Sequence, residues 1–115
     1  MSKFIVISIP TFNRCEKLNR TLNIFFSEIK KSTYKDDIGV FVSNNGSTDK
    51  TLEVLNSQSH KYKMSNIDFN FRSEKNNIGM DLNYLNMIEM PVAEYIWFFS
   101  DDDILFENKL DGLIA

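Results

Sequence analysis

Phe4-Ile5-Val6-Ile7-Ser8-Ile9 is an almost unbroken apolar run, rich in β-branched residues. This is the pattern of a strand covered on both faces of a parallel sheet. Pro10 closes the run, because it brings no N–H to a ladder. Beyond it, Asn13 and Glu16 stand at capping-box spacing, and Leu18, Leu22, Phe25, Phe26 and Ile29 recur at helical period, so a helix of about four turns is expected. Ile38-Gly39-Val40-Phe41-Val42 is a second short apolar strand, ended by the turn-rich Asn44-Asn45-Gly46-Ser47. Thr48 is then placed to cap a helix carrying Leu52 and Leu55. Ile67, Phe69 and Phe71 alternate with Asp68, Asn70 and Arg72, the signature of a strand with one wet face and hence of a sheet edge. Leu82, Leu85 and Ile88 predict a third helix before Pro91, and Tyr95-Ile96-Trp97-Phe98-Phe99 predicts a fourth, buried strand.

Strands alternating with helices call for parallel pairing through right-handed crossovers. The expected fold class is therefore α/β, a three-layer, Rossmann-like open sheet, mainly parallel, with strand order 3-2-1-4. That order puts the alternating third strand at an edge. In such sheets ligands bind beyond the carboxyl ends of the strands, where the winding reverses, here between strands one and four. Three polar clusters fall at those ends: Pro10-Thr11-Phe12-Asn13-Arg14, Ser43-Asn44-Asn45-Gly46 and Ser100-Asp101-Asp102-Asp103.

The last cluster is chemically the most demanding. Unit charges ~4 Å apart repel by about 4 kcal/mol at an effective dielectric of about 20, so three adjacent carboxylates need something to offset them. A hard divalent cation with oxygen ligands does so, and magnesium or manganese is commonly shared between carboxylates and substrate phosphates. The bland alternative is a solvated acidic turn ahead of a helix over residues 108–114. Phe12 can stack on a base or serve as a hydrophobic staple for the first helix. Asn44 and Asn45 can meet a base edge through their amides or be simple turn chemistry. Backbone donors after Asn13 can supplement phosphate binding. No Gly-x-Gly-x-x-Gly or Gly-Lys-Ser/Thr loop follows strand one, which removes the usual dinucleotide site and the P-loop.

The 115 residues bound the chain to one domain, and a hydrophobic content of 43% with 25% charged residues is that of a globular protein. A net charge of -3 and a pI near 5.1 leave no basic stripe for nucleic acid. Cys15 is the only cysteine, so no internal disulfide forms and a reducing, cytoplasmic setting is expected. The apolar segment from Phe4 to Ile9 is too short for a signal-peptide core or a membrane span. His60, in a polar stretch, reads as a surface residue, and Cys15 as a helix-packing one.

Four motifs in order, Pro10-Thr11-Phe12-Asn13-Arg14, Asn45-Gly46-Ser47-Thr48-Asp49, Asn77-Ile78-Gly79 and Glu94-Tyr95-Ile96-Trp97-Phe98-Phe99-Ser100-Asp101-Asp102-Asp103, resemble the family-2 glycosyltransferases of the GT-A fold. The resemblance covers almost the whole chain. The stretch from Asn77 to Leu85, taken with Trp97 to Asp103, looks like the abequosyltransferase branch, which builds O-antigen-type polysaccharides with deoxysugars.

The resemblance implies a nucleotide-binding set of Pro10, Thr11, Phe12, Arg14, Asn44, Asn45, Asn77 and Asp101, with Thr11 and Phe12 against the base. Asn45 stands where many members have an aspartate that contacts the base. An asparagine both accepts and donates, so cytosine joins uracil and thymine among the bases this position can meet. The family's Asp-x-Asp signature falls on Ser100-Asp101-Asp102, with serine in place of the first aspartate. By that alignment Asp102 holds a divalent Mn²⁺ or Mg²⁺ with Asp103 in support, and Asp101 lies near the ribose or the metal. Strand periodicity instead groups Asp101 with Asp103.

The implied reaction is inverting transfer of a sugar from a nucleotide-diphosphate sugar to a hydroxyl on a saccharide or lipid-linked acceptor. Residues 1–115 correspond to the donor-binding part, with the acceptor-binding half absent and the general base beyond Ala115. The longer enzyme is expected in the cytoplasm or peripheral to the inner face of the membrane. The competing readings are a non-catalytic nucleotide-binding module and a nucleotidyltransferase-like domain. The latter wants a glycine-rich basic loop after strand one that this chain lacks.

Overall fold

The computed structural model describes residues 3–79, 82–83 and 93–100. The elements run β1 (Lys3–Thr11), α1 (Cys15–Lys31), a short 3-10 turn at Lys35–Asp37, β2 (Ile38–Asn44), α2 (Thr51–Met64), β3 (Asp68–Ser73) and β4 (Ala93–Phe98). All three strand pairings are parallel, and the order is β3-β2-β1-β4, as the alternation of elements and the wet face of β3 predict. Within the third expected helix, Leu82 and Asn83 are helical. The remainder of that helix, Asp101, Asp102 and Asp103, and residues 108–114 lie outside the described residues.

β1 runs past Pro10 to Thr11, which corrects the expected stop. The reason is one-sided. Asn45 N–H donates to Thr11 O and Phe99 N–H to Ser8 O, so alternate residues of β1 serve β2 and β4. Pro10 shares its side with Ser8 and lacks the N–H that would carry the ladder on toward β4. Pairing with β4 ends at Ser8–Phe98, whereas pairing with β2 continues to Thr11–Asn44.

One face of the sheet is sealed by both long helices. Ile7, Ile9, Val40, Val42 and Phe69 pack with Leu18, Leu22, Phe25 and Ile29 of α1 and with Leu55 and Tyr62 of α2, all buried. Tyr62 donates its hydroxyl to Leu22 O at 2.6 Å, and desolvation by burial pushes its pKa up, so it stays a neutral donor. A polar seam joins the helices, with Gln58 Nε2 donating to both Asn19 and Asn23 at 2.8 Å. On the opposite face, Ser43 Oγ donates to the buried Asn83 Oδ1 at 2.6 Å. Here the expected apolar stripe needs correction: Leu82 is exposed and Asn83 is turned inward to a sheet position that carries a serine.

β4 also departs from a fully buried strand. Tyr95 is 61% and Phe98 46% exposed, while Phe99 is buried. Among the described residues β4 has a strand neighbour on one side only, β1, and Tyr95, paired with Ile5, lies at the margin of the α1 core against Phe4. Phe99 and Trp97 still reach that core, meeting Phe25 edge-on at 4.7 and 6.1 Å between ring centres.

Candidate functional site at the carboxyl edge of the sheet

The topology carries the ends of β1, β2 and β4 to one edge. Thr11, the last residue of β1, is buried, and Phe12 beyond it is 41% exposed. Asn13 adopts a left-handed backbone (φ 51°), a conformation that asparagine tolerates better than most residues. Its side chain does not cap α1, contrary to the capping-box expectation. Asn13 Oδ1 instead accepts Thr48 N–H at 2.7 Å and Asp49 N–H at 3.3 Å, and Asn13 N–H donates to Ser47 Oγ at 2.9 Å. The loops after β1 and β2 are therefore laced together.

Asp49 completes the lacing. Its Oδ2 accepts the N–H of Cys15, the first residue of α1, at 3.2 Å, and its Oδ1 accepts the N–H of Thr51, the first residue of α2, at 2.9 Å and the Thr51 hydroxyl as well. One carboxylate serves two helix starts. This replaces the expected Thr48 cap, because α2 begins three residues later, at Thr51. The first amide of α1 is consequently taken by Asp49 and is closed to a phosphate. Partial desolvation pushes the Asp49 pKa up, but the hydrogen bonds from Thr51 and Cys15 outweigh it and hold the carboxyl below its ordinary value of 3.8.

A folded-state pKa below the unfolded one contributes stability that is present above about pH 3.8 and lost as pH falls through the folded value. Asp49→Ala is expected to cost about 1–2 kcal/mol at pH 7, the size of a lost N-cap. The gap from the parent protein should narrow in urea unfolding at pH 3. A gap that is independent of pH would remove the charged cap from the account.

Four consecutive residues at the end of β2 grip the segment after β3. Ser43 holds Asn83, Asn44 Nδ2 donates to Ser73 Oγ at 3.1 Å, and the Asn44 backbone carbonyl accepts Glu74 N–H at 3.0 Å. Asn45 Nδ2 donates to Asn77 Oδ1 at 2.9 Å, and Asn45 Oδ1 accepts Ile78 N–H at 2.8 Å. Gly46, at φ 71°, lies against the Asn76–Asn77 backbone.

The structure thus brings Pro10, Thr11, Asn44, Asn45 and Asn77 together, with Phe12 exposed beside them and Arg14 exposed just before α1. Phe99 N–H bonding to Ser8 O delivers Ser100 to the same edge across the β1/β4 switch point. Asp101, Asp102 and Asp103 follow directly but are outside the described residues. Among the described residues no group of three acidic, histidine or cysteine side chains is placed to hold a metal, and no helix is long and apolar enough to cross a membrane. A hollow along the flank of α1, lined by residues such as Asn19, Arg20, Asn23 and Ser27, contains none of the expected site residues. The sequence reading missed the roles of Asn13, Ser47 and Asp49. For Asp49 a local signal existed, an aspartate two residues ahead of a helix-starting threonine.

Comparison with known proteins identifies the framework. The chain is 33% identical over 106 residues to the abequosyltransferase RfbV of Salmonella typhimurium, covering 92% of this chain and 30% of that protein. It is also 33% identical over 114 residues to the poly(ribitol-phosphate) β-N-acetylglucosaminyltransferase TarP of Staphylococcus aureus, covering 96% of this chain and 32% of that protein. The chain thus spans about a third of the length of these curated relatives. Its fold matches that of the mannosyltransferase PcManGT of Pyrobaculum calidifontis, solved with GDP-Man and Mn²⁺, at a TM-score of 0.80 and 14% identity, over 95% of this chain and 30% of that one. The strand order and the likeness to these enzymes give the fold as GT-A. Residues 6–115 match the model of glycosyl transferase family 2, and the chain belongs to that family.

Proposed function

We propose that this chain binds the nucleotide-diphosphate sugar of an inverting glycosyltransferase, and that the acceptor site and the general base lie in sequence beyond residues 1–115. The observation that carries the reading is the convergence of the laced β1 and β2 loops with Ser100 at one sheet edge, at the switch point where open α/β sheets bind ligands. Thr11 and Phe12 supply a buried wall and an exposed ring for a base, Pro10, Arg14 and Asp101 complete the lining, and Asn44, Asn45 and Asn77 hold the site from beneath. The donor set of Asp102 and Asp103 is hard oxygen, which suits Mn²⁺ or Mg²⁺. Such a cation would neutralise charge on the departing diphosphate. The acceptor in this reading is a hydroxyl of a saccharide or lipid-linked chain, met on the cytoplasmic side.

The test is a thermal-shift panel of UDP, dTDP, CDP and GDP, each with and without Mn²⁺, because a ligand bound only by the native state raises its melting temperature. One nucleoside diphosphate is expected to stabilise the chain in a metal-dependent way, by about 2.7 kcal/mol at a hundredfold excess over Kd. Asp102→Asn is expected to abolish the metal-dependent part and leave the unliganded melting temperature unchanged. Equal stabilisation of the variant would move the cation off Asp102.

A further inference from the structure

We infer that Asn45 serves the site as a positioning residue, pinning the Asn77–Gly79 turn, and does not read the nucleotide base. Its side chain is only 6% exposed, and both ends of its amide are already engaged. Oδ1 accepts Ile78 N–H, and Nδ2 donates to Asn77 Oδ1, which in turn accepts Gly79 N–H at 2.8 Å. The arrangement is a matched pair of amides. A carboxylate at position 45 would keep the bond from Ile78 but turn an acceptor toward the acceptor Asn77 Oδ1. Turning the Asn77 amide over would relieve that clash only by taking the acceptor away from Gly79 N–H.

The neighbours of Asn45 act in the same direction. Asn44 and Gly46 grip Ser73, Glu74 and Asn76 on either side, so position 45 is the middle contact of a continuous clasp between the end of β2 and the segment after β3. The Asn45 backbone N–H also bonds Thr11 O at 3.0 Å. Thr11 and the 77–79 turn are thereby held to one residue, and base contacts fall to groups the clasp leaves open, Phe12 foremost.

Two measurements on the 115-residue chain test this, and only the second rests on the donor-binding reading. In amide hydrogen exchange, Asn45→Ala should speed exchange at Ile78 and Gly79 by about tenfold or more, while Val40 and Val42 of β2 keep their rates. Asn45→Asp, the gentler variant, should spare Ile78 and speed Gly79. In the nucleotide panel, Asn45→Asp should weaken every nucleoside diphosphate that binds by one common factor and leave their rank order intact. Unchanged exchange at Ile78 and Gly79 in Asn45→Ala overturns the pin. A reversal of base preference in Asn45→Asp without faster exchange at Gly79 makes Asn45 a reader of the base. If the parent chain binds no nucleotide, the donor-binding reading fails, and the exchange rates still decide the pin.

Discussion

Phe25→Ala is expected to lower the stability of the chain by about 3–5 kcal/mol, the range for removing a buried aromatic ring from a close-packed core. Phe25 is fully buried among Leu22, Ile29 and the sheet residues of the main core. It meets Phe99 at 4.7 Å and Trp97 at 6.1 Å, both edge-on, and those two rings meet each other at 5.5 Å. Such pairs contribute about 0.5–1.5 kcal/mol beyond their buried area. The loss is therefore comparable to the whole stability of a marginal domain, which spans about 5–15 kcal/mol.

The variant also reports on function, because this triad ties β4 to α1. Phe99 is the last residue before Ser100, and through it the core sets where the acidic stretch begins. Trp97 is the only tryptophan, so its fluorescence observes the contact directly. Urea unfolding should show the lost stability, and the emission of the still-folded variant should shift to the red as Trp97 loses an edge-on neighbour. A loss below about 1.5 kcal/mol, the upper end for volume-conserving swaps in cores, would mean that the ring is not part of a tightly packed triad.

The strand order was legible because burial writes itself into local pattern. A run apolar on both faces must be central, as β1 is, and the alternation of Phe69 and Phe71 with Asn70 and Arg72 must sit at an edge, as β3 does. The carboxyl edge was legible as a place because polar clusters ended the runs. Its wiring was not. Asn13 was read as a helix cap from the spacing to Glu16, yet its partner Thr48 lies 35 residues away, and spacing along the chain carries no signal for a bond between two loops. The same holds for Asn45 and Ile78, 33 residues apart, where the residue types are those of an ordinary turn. β4 misled for another reason. Hydrophobicity reports what a strand is built to bury, whereas exposure depends on the neighbours it has, and Tyr95 and Phe98 have a described strand on one side only.

Gly46→Ala brings the second large effect, and Gly79→Ala separates its causes. Both glycines hold a left-handed backbone, at φ 71° and 89°, which costs an L-residue about 1–2 kcal/mol. Only Gly46 is also crowded. A methyl group there would stand 2.3 Å from Asn76 C, 2.5 Å from Asn77 N and 2.8 Å from Asn76 O, whereas among the described residues nothing lies within 4 Å of the same position on Gly79. The atoms in the way are backbone, so no side-chain rotation relieves the contact; the clasp itself must open. Overpacking adds about 1–3 kcal/mol, less about 0.4–1 kcal/mol because alanine restricts the unfolded chain. Gly46→Ala is expected to lose about 2–4 kcal/mol in urea unfolding, on balance of these terms, and Gly79→Ala about 1 kcal/mol. The two should differ in kind as well as size. Opening the clasp frees Asn45 from Ile78 and Asn77, so Gly46→Ala should reproduce the fast amide exchange expected of Asn45→Ala and weaken nucleotide binding, while Gly79→Ala leaves the Ile78 amide protected. Equal losses in the two variants, with Ile78 protected in both, would show that the close approach of Gly46 to Asn76 is not what joins the end of β2 to the turn after β3.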